Sequence, residues 1–185
     1  VELTLNLRIA HVVDRTEAEG PGVRTAIWTQ GCSIRCPGCC NPELFGSRGG
    51  ELYAVEALLA RVVDAGTEGI TLLGGEPLDQ PESVTALAQA ARGKGLSVVV
   101  FSGYCYAEVE RRAPDLLAAV DVLVDGPYDA AQPEDGPRAR RWVGSRNQQL
   151  HFLGTRYGLA DFQGPNTVEL RLRTDGVMIN GWPHR

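Results

Sequence analysis

Residues 70–101, ITLLGGEPLDQPESVTALAQAARGKGLSVVVF, read as strand, turn, helix and strand. Ile70 to Leu73 is a short apolar run that stops at Gly74-Gly75-Glu76-Pro77, the length and punctuation of a buried strand. Over 81–92, Val84, Leu87, Ala88 and Ala91 recur at three- and four-residue intervals, which puts them on one helical face, and Gly93 and Gly95 close the helix. Leu96 to Phe101 is a second strand of the buried type. Two strands joined through a helix pair in parallel, with a right-handed crossover.

The same order extends on both sides. Residues 23–30 (VRTAIWTQ) form a strand that ends at Gly31. Leu52, Val55, Leu58, Leu59, Val62 and Val63 share a helical face that stops at Gly66. A helix near 106–112 is interrupted by Pro114, and Val120 to Val124 is a strand leading into Asp125-Gly126-Pro127. The expected class is α/β, with a parallel sheet and sites where strands end and loops begin. Residues 128–141 are rich in Pro, Asp and Arg and read as a surface loop, with Arg138, Arg140 and Arg141 in solvent. Segments 167–173 and 176–180 read as two strands around Asp175-Gly176, a hairpin signal. The domain expectation is a core over 1–153 and an extension over 154–185 packed on it.

Composition narrows the chemistry. The chain has 185 residues, too few for a complete (β/α)8 barrel at ~250. No apolar run approaches the ~20 residues of a membrane span, and Val1 to Ile9 carries Glu2 and Arg8 instead of a signal-peptide core, so a cytoplasmic protein is expected. A net charge of −5 argues against nucleic acid as the main partner. Lys94 is the single lysine and sits between glycines, so Schiff-base and pyridoxal-phosphate chemistry lack their amine, and no P-loop is present.

Four of the five cysteines lie within nine residues, in Gly31-Cys32-Ser33-Ile34-Arg35-Cys36-Pro37-Gly38-Cys39-Cys40-Asn41. An odd count clustered like this is a poor disulfide framework and reads as metal or redox chemistry. Cys32, Cys36 and Cys39 make Cys-x3-Cys-x2-Cys; three thiolates on a cubane leave one iron open to an exogenous molecule. Cys40 adjoins Cys39 and is an awkward fourth ligand. A structural zinc site lacks a second ligand pair here, and a Cys-x-x-Cys redox motif over 36–39 leaves Cys32 unexplained. Cys105 reads as a packed thiol, and His11, His151 and His184 belong to no ligand set.

The cysteine spacing, with Gly-Gly-Glu-Pro following about 35 residues later at a strand end, resembles the radical S-adenosylmethionine (SAM) superfamily. Glu19-Gly20-Pro21-Gly22-Val23-Arg24 ahead of the cluster strand is similar to activating enzymes of glycyl radical enzymes. Cys36-Pro37-Gly38-Cys39 with Asn41, Ser102-Gly103-Tyr104, Val122 to Gly126 and Trp142 to Gln148 resemble the anaerobic ribonucleotide reductase activating proteins in particular. The likeness spans roughly residues 19–153. It implies a partial, open (β/α) barrel, here with a C-terminal β-hairpin extension.

It also implies a [4Fe–4S] cluster on Cys32, Cys36 and Cys39, and SAM chelated to the open iron. Reductive cleavage of SAM would give a 5′-deoxyadenosyl radical that generates a glycyl radical on a partner enzyme, in the first place anaerobic ribonucleotide reductase. A flavodoxin- or ferredoxin-type protein would be the electron donor. By the same resemblance Gly75 contacts SAM, the turn of Gly74, Gly75 and Glu76 faces the methionine ammonium, and Gly38 and Cys40 flank the last ligand against SAM. Ser102 and Asp125 either reach SAM or cap helices; the role of Asn147 is left open. Cys40 stands where these activases usually carry an aromatic residue or His, Glu19 where Asp or Asn is common, and the tail over 154–185 exceeds the shorter members. The alternative function is a radical SAM enzyme acting on a small molecule or peptide.

Overall fold

The computed structural model describes residues 5–174 and 176–181; Val1, Glu2, Asp175 and His184, named above, lie outside them. In chain order the elements are β1 (Asn6–Thr16), β2 (Arg24–Thr29), β3 (Glu51–Ala54), α1 (Val55–Asp64), β4 (Gly69–Gly74), α2 (Pro81–Gly93), β5 (Ser97–Phe101), α3 (Tyr106–Arg112), α4 (Pro114–Leu117), β6 (Val122–Asp125), β7 (Gln149–Phe152), β8 (Val168–Arg173) and β9 (Gly176–Gly181). Seven strands form one sheet in the order β3-β1-β2-β4-β5-β6-β7, and β8 pairs with β9 separately.

The centre of the sheet is parallel: β2 with β4, β4 with β5, and β5 with β6. Its flanks are not. β1 runs antiparallel to both β2 and β3, and β7 antiparallel to β6. The expected parallel sheet is therefore its four central strands, and its edges are antiparallel. The pairing of β1 with β2 slips between Ile9 and His11 and again between Val13 and Thr16, so its inward residues lose the two-residue period that marks a strand.

The helix expected from Leu52 begins at Val55. Leu52 instead pairs with Arg8 in β3 and is exposed, because the edge of β1 recruits residues 51–54 before the helix starts. Val63, assigned to the apolar face of α1, is exposed as well, so that face is Val55, Leu58 and Val62. Pro114 does more than interrupt: it opens α4 at the first helical turn, where its missing N–H costs nothing.

Alternation along the central strands sorts side chains onto two faces. Ile27, Ile70, Leu72, Val98, Val100 and Leu123 point to the helices and pack with Leu58, Leu87, Val109 and Leu116. Val99, Val122 and Val124 point the other way, into a cluster with Trp142, Val143 and Phe162, while Ala26 and Trp28 join Val13 and Leu44. Among the described residues that second face carries no α-helix; long loops, the short 3-10 turns Pro42–Phe45 and Leu159–Phe162, and the β8–β9 ribbon cover it. At the start of the parallel strands Arg24 is fully buried, its guanidinium donating to Thr71 Oγ1 (2.8 Å), the Pro21 carbonyl (2.9 Å), Ser97 Oγ (2.9 Å) and Tyr157 OH (3.1 Å). Among the described residues no helix is long and apolar enough to cross a membrane.

Candidate functional site

Strands β2, β4 and β5 all point their C-terminal ends at one cavity of about 1080 Å³ on the helix-free face. Cys32, Cys36, Cys39 and Cys40 enter its wall from the loop after β2, Gly74 to Glu76 from the end of β4, and Ser102 and Gly103 from the end of β5. Gly38 lines it too, with φ +76°, and a Cβ there would stand 3.1 Å from the Ala130 Cβ. The parallel order of the strands thus gathers segments more than sixty residues apart around one space, as the sequence pattern expected.

Backbone contacts seat the turn against the cysteine loop. Gly75 N–H donates to the Thr29 carbonyl (2.9 Å) and Glu76 N–H to the Gly31 carbonyl (2.8 Å). A Cβ on Gly75 would sit 2.1 Å from the Gly31 oxygen, and one on Gly74, at φ +111°, 2.6 Å from the Trp28 Cα. Both glycines are dictated by this approach of two backbones. Within the loop, Cys39 N–H closes a turn onto the Cys36 carbonyl (3.2 Å), and Cys32 N–H donates to the Phe45 carbonyl (3.3 Å).

All five cysteines are free. The adjoining Cys40 side chain brings Cys39 down to about 6 and is itself raised, burial pushes Cys32 and Cys36 up, and Asn41 N–H donates to the Cys39 sulfur (3.4 Å). Among the described residues no three His, Cys, Asp or Glu side chains gather as the ligands of one ion do. A cubane takes each thiolate on a different iron, and the donor set around the cavity, three soft sulfurs beside a cleft walled by glycine backbone, fits a [4Fe–4S] cluster with room for a further molecule.

Glu76 lines the cavity with its turn, and its polar atoms are bonded within the protein. Its carboxylate is buried and accepts from Leu78 N–H (2.9 Å), Ser102 Oγ (2.8 Å) and Gly103 N–H (2.7 Å). Burial raises its pKa to about 7, with the three donors working in the opposite sense. The side chain buttresses the ends of β4 and β5, and Ser102 takes part in the same buttress. Asp125 is not brought to the cavity: Oδ2 accepts from Tyr106 N–H (2.5 Å) at the start of α3, and Oδ1 lies 3.1 Å from His151 Nε2. Of its two sequence readings, the helix cap is the one the geometry displays. Asn147 Nδ2 donates to the Pro127 carbonyl (2.7 Å) and fastens a loop.

Three further readings change. Cys105 is exposed at the start of α3, its N–H donating to Glu108 Oε2 (3.1 Å), and is not a packed thiol. Arg140 pairs with Glu134 (2.5 Å) and Arg141 lies over the Trp142 ring (4.1 Å), so of the three loop arginines only Arg138 is exposed as expected. Asp79, which sequence reasoning passed over, accepts from Ser33 N–H (2.6 Å), Ser33 Oγ (2.8 Å) and Tyr104 OH (3.0 Å), and so clamps the residue next to Cys32. Its only signal was a position just beyond Gly-Gly-Glu-Pro. Glu19 also lines the cavity; burial raises its pKa to about 7, against the Gly181 N–H that it accepts at 2.6 Å.

Comparison with known proteins bears on this geometry directly. Residues 18–151 match a family described as a 4Fe-4S single cluster domain. The anaerobic ribonucleoside-triphosphate reductase-activating protein of Enterobacteria phage T4 is 30% identical over 138 residues, 71% of this chain and 85% of that one. The chain belongs to the radical SAM enzymes of the glycyl-radical-activating type. The reductase-activating protein of Vibrio cholerae is 30% identical over 142 residues, covering 71% of this chain and 89% of its own. Pyruvate formate-lyase-activating enzyme of Clostridium pasteurianum is 32% identical over 110 residues, 56% of this chain and 46% of its own. In this radical SAM enzyme the family match takes in the cysteine loop and the strands β2 to β6 and ends in β7.

Proposed function

We propose that this chain is an activating enzyme that generates a glycyl radical on a partner protein, in the first place an anaerobic ribonucleotide reductase. The observation that carries the reading is the single cavity shared by the Cys32, Cys36 and Cys39 thiols and the Gly74-Gly75 turn. When bound, one [4Fe–4S] cluster with an open iron supplies the electron that cleaves SAM to methionine and the 5′-deoxyadenosyl radical, which takes hydrogen from glycine.

The chain's own part is to hold and orient. Cys32, Cys36 and Cys39 would bind the cluster, with the Asn41 N–H donating to the Cys39 sulfur (3.4 Å). Gly75 and Gly38 let the turn and the cysteine loop close around the space for SAM, while Glu76 and Ser102 hold the turn in place. We read residues 1–153 as the core, a partial barrel left open on the helix-free side, and 154–185 as an extension packed on it. The open side suits a substrate that arrives as a polypeptide loop. A reduced flavodoxin- or ferredoxin-type donor and a cytoplasmic setting complete the proposal.

The test is anaerobic reconstitution, followed by reduction with SAM and an anaerobic ribonucleoside-triphosphate reductase. A glycyl doublet in the EPR spectrum, with one 5′-deoxyadenosine formed per radical, is the expected result. SAM cleavage with turnover of a small molecule and no doublet would overturn it in favour of the alternative function.

A further inference from the structure

The β8–β9 ribbon carries its polarity the reverse way for a surface ribbon. Its face toward the body is polar and bonded. Glu169 Oε1 accepts from Glu17 N–H (2.8 Å), Arg171 donates to the carbonyls of Asp14 (2.8 Å) and Arg15 (2.7 Å), and Asn180 Nδ2 donates to Thr16 Oγ1 (2.8 Å). Met178 packs beside Val13, Ala26, Trp28 and Leu44. The opposite face presents Val168, Leu170, Leu172, Val177 and Ile179, from 43% exposed at Val168 to 84% at Leu172.

Leu170 stands across from Ile179 and Leu172 from Val177, so these side chains form one stripe. An ordinary half-exposed ribbon buries its apolar face and wets the other. Here hydrogen bonds to the β1–β2 corner hold the ribbon still and turn the aliphatic stripe outward. Single exposed aliphatics need no explanation; a contiguous stripe on an anchored arm marks an interaction surface.

Two observations say what covers it. Residues Gly176 to Gly181 of β9 form part of the wall of the same cavity as the cluster-loop cysteines, so a polypeptide entering that cavity passes along the ribbon. The stripe is also small. Five side chains on two strands fall short of the ~800 Å² per partner that a stable interface buries, so the stripe alone does not hold two copies together and fits as one flank of a larger contact across the cavity mouth. We propose that the apolar face of β8–β9 is a docking surface for the glycyl radical partner, received by an apolar patch beside that enzyme's glycine loop. This rests on the function proposed above. The ribbon begins at residue 168, past the family match that ends at 151, so docking is served by residues beyond that match.

The test pairs the wild-type enzyme with Leu170→Glu/Leu172→Lys, which places opposite charges on the stripe at positions outside the cavity wall. For each, SAM cleavage without partner is measured, then glycyl radical yield against rising concentrations of an anaerobic ribonucleoside-triphosphate reductase. The variant is expected to cleave SAM at the wild-type rate and to need about tenfold more reductase for half-maximal radical, the scale of losing an interface anchor. If the double variant does not fold, Leu172→Thr carries the test with a shift of about threefold in the same direction. An unchanged dependence on reductase overturns the proposal. So does a wild-type dimer in sedimentation velocity that the variant dissociates, which would assign the stripe to a second copy. A wild-type enzyme that cleaves SAM and yields no doublet at any reductase concentration defeats the functional reading itself, and that failure is seen before any variant is made.

Discussion

The Glu76 carboxylate accepts a 2.7 Å hydrogen bond from the Gly103 amide, across a gap of 27 residues. Together with the bond from Ser102 Oγ it ties the end of β4 to the end of β5, on which two sides of the cavity depend. Glu76→Gln keeps an oxygen for Leu78 and Ser102 but turns an amide NH2 toward the Gly103 N–H. Chemical denaturation is expected to show a loss of about 2 kcal/mol, the cost of leaving a buried donor unmet, along with weaker SAM binding. Glu76→Asp, too short to span both strand ends, should not rescue either property.

Glu19 and Glu76 give the fold a pH dependence of definite sign. Burial raises both from 4.5 to about 7, so the folded chain holds these protons more tightly than the unfolded chain does. Their contribution is complete below pH 4.5 and lost as pH rises through about 7. Unfolding free energy should therefore fall between pH 5 and pH 7.5 and level above. Glu19→Gln, which keeps an oxygen for Gly181, should flatten the slope by roughly 2 kcal/mol. A slope that Glu19→Gln leaves unaltered would show that its carboxyl titrates normally.

Gly75→Ala tests the close approach of two backbones. Its Cβ would fall 2.1 Å from the Gly31 carbonyl oxygen, and neither partner is a flexible side chain that can step aside. The cost is several kcal/mol if the turn stays in place, or a displaced turn if it does not. Either way SAM affinity, read by equilibrium dialysis, should drop by more than tenfold. Gly95→Ala serves as a control, since a Cβ there meets nothing within 4 Å, although its φ of +81° makes some strain inevitable.

The five thiols should divide cleanly. Cys32→Ala, Cys36→Ala and Cys39→Ala are each expected to abolish the brown absorbance and most bound iron after anaerobic reconstitution. Cys105→Ala, on the exposed start of α3, should bind iron like the wild type. Cys40→Ala should retain iron, since Cys32, Cys36 and Cys39 remain and Asn41 N–H still donates to the Cys39 sulfur (3.4 Å).

Asp79→Ala removes the acceptor for Ser33 N–H, Ser33 Oγ and Tyr104 OH at once. Since Asp79 is exposed, water replaces part of what is lost, and global stability should change by only about 1 kcal/mol. The cluster loop should loosen more than the fold. Iron release to a chelator is the sensitive measurement, with an expected acceleration of several fold.

What could be read from the amino acids follows from which signals are local. The αβ units around β4, α2 and β5 declare themselves because Val84, Leu87 and Ala88 keep a helical period and Gly74 and Gly95 punctuate it. β1 was invisible because two slips in its pairing break the alternation of Leu7, Ile9 and Val13. β3 was absorbed into α1 because Leu52 happens to continue the spacing of Val55 and Leu58. The site shows the same division. Glycines that backbones require, and cysteines at ligand spacing, are legible as residue types. That Glu76 serves the strand ends, and that Asp79 clamps Ser33, depends on distances across the sheet that no local pattern encodes.

The ribbon's attachment has a consequence for how such an enzyme diversifies. It is bonded to the protein through residues 14–19, ahead of the cysteine loop, and its aliphatic side chains at 168, 170 and 172 are exposed and lie outside the cavity wall. Substitutions on the stripe therefore meet little resistance from the fold, while the cysteine loop and the glycine turn constrain each other atom by atom. If the ribbon is the docking surface proposed above, β8 can drift more freely than the cysteine loop does. On that proposal, a change of client would need only a handful of outward-facing residues on β8, with the cysteine loop and glycine turn kept as they are.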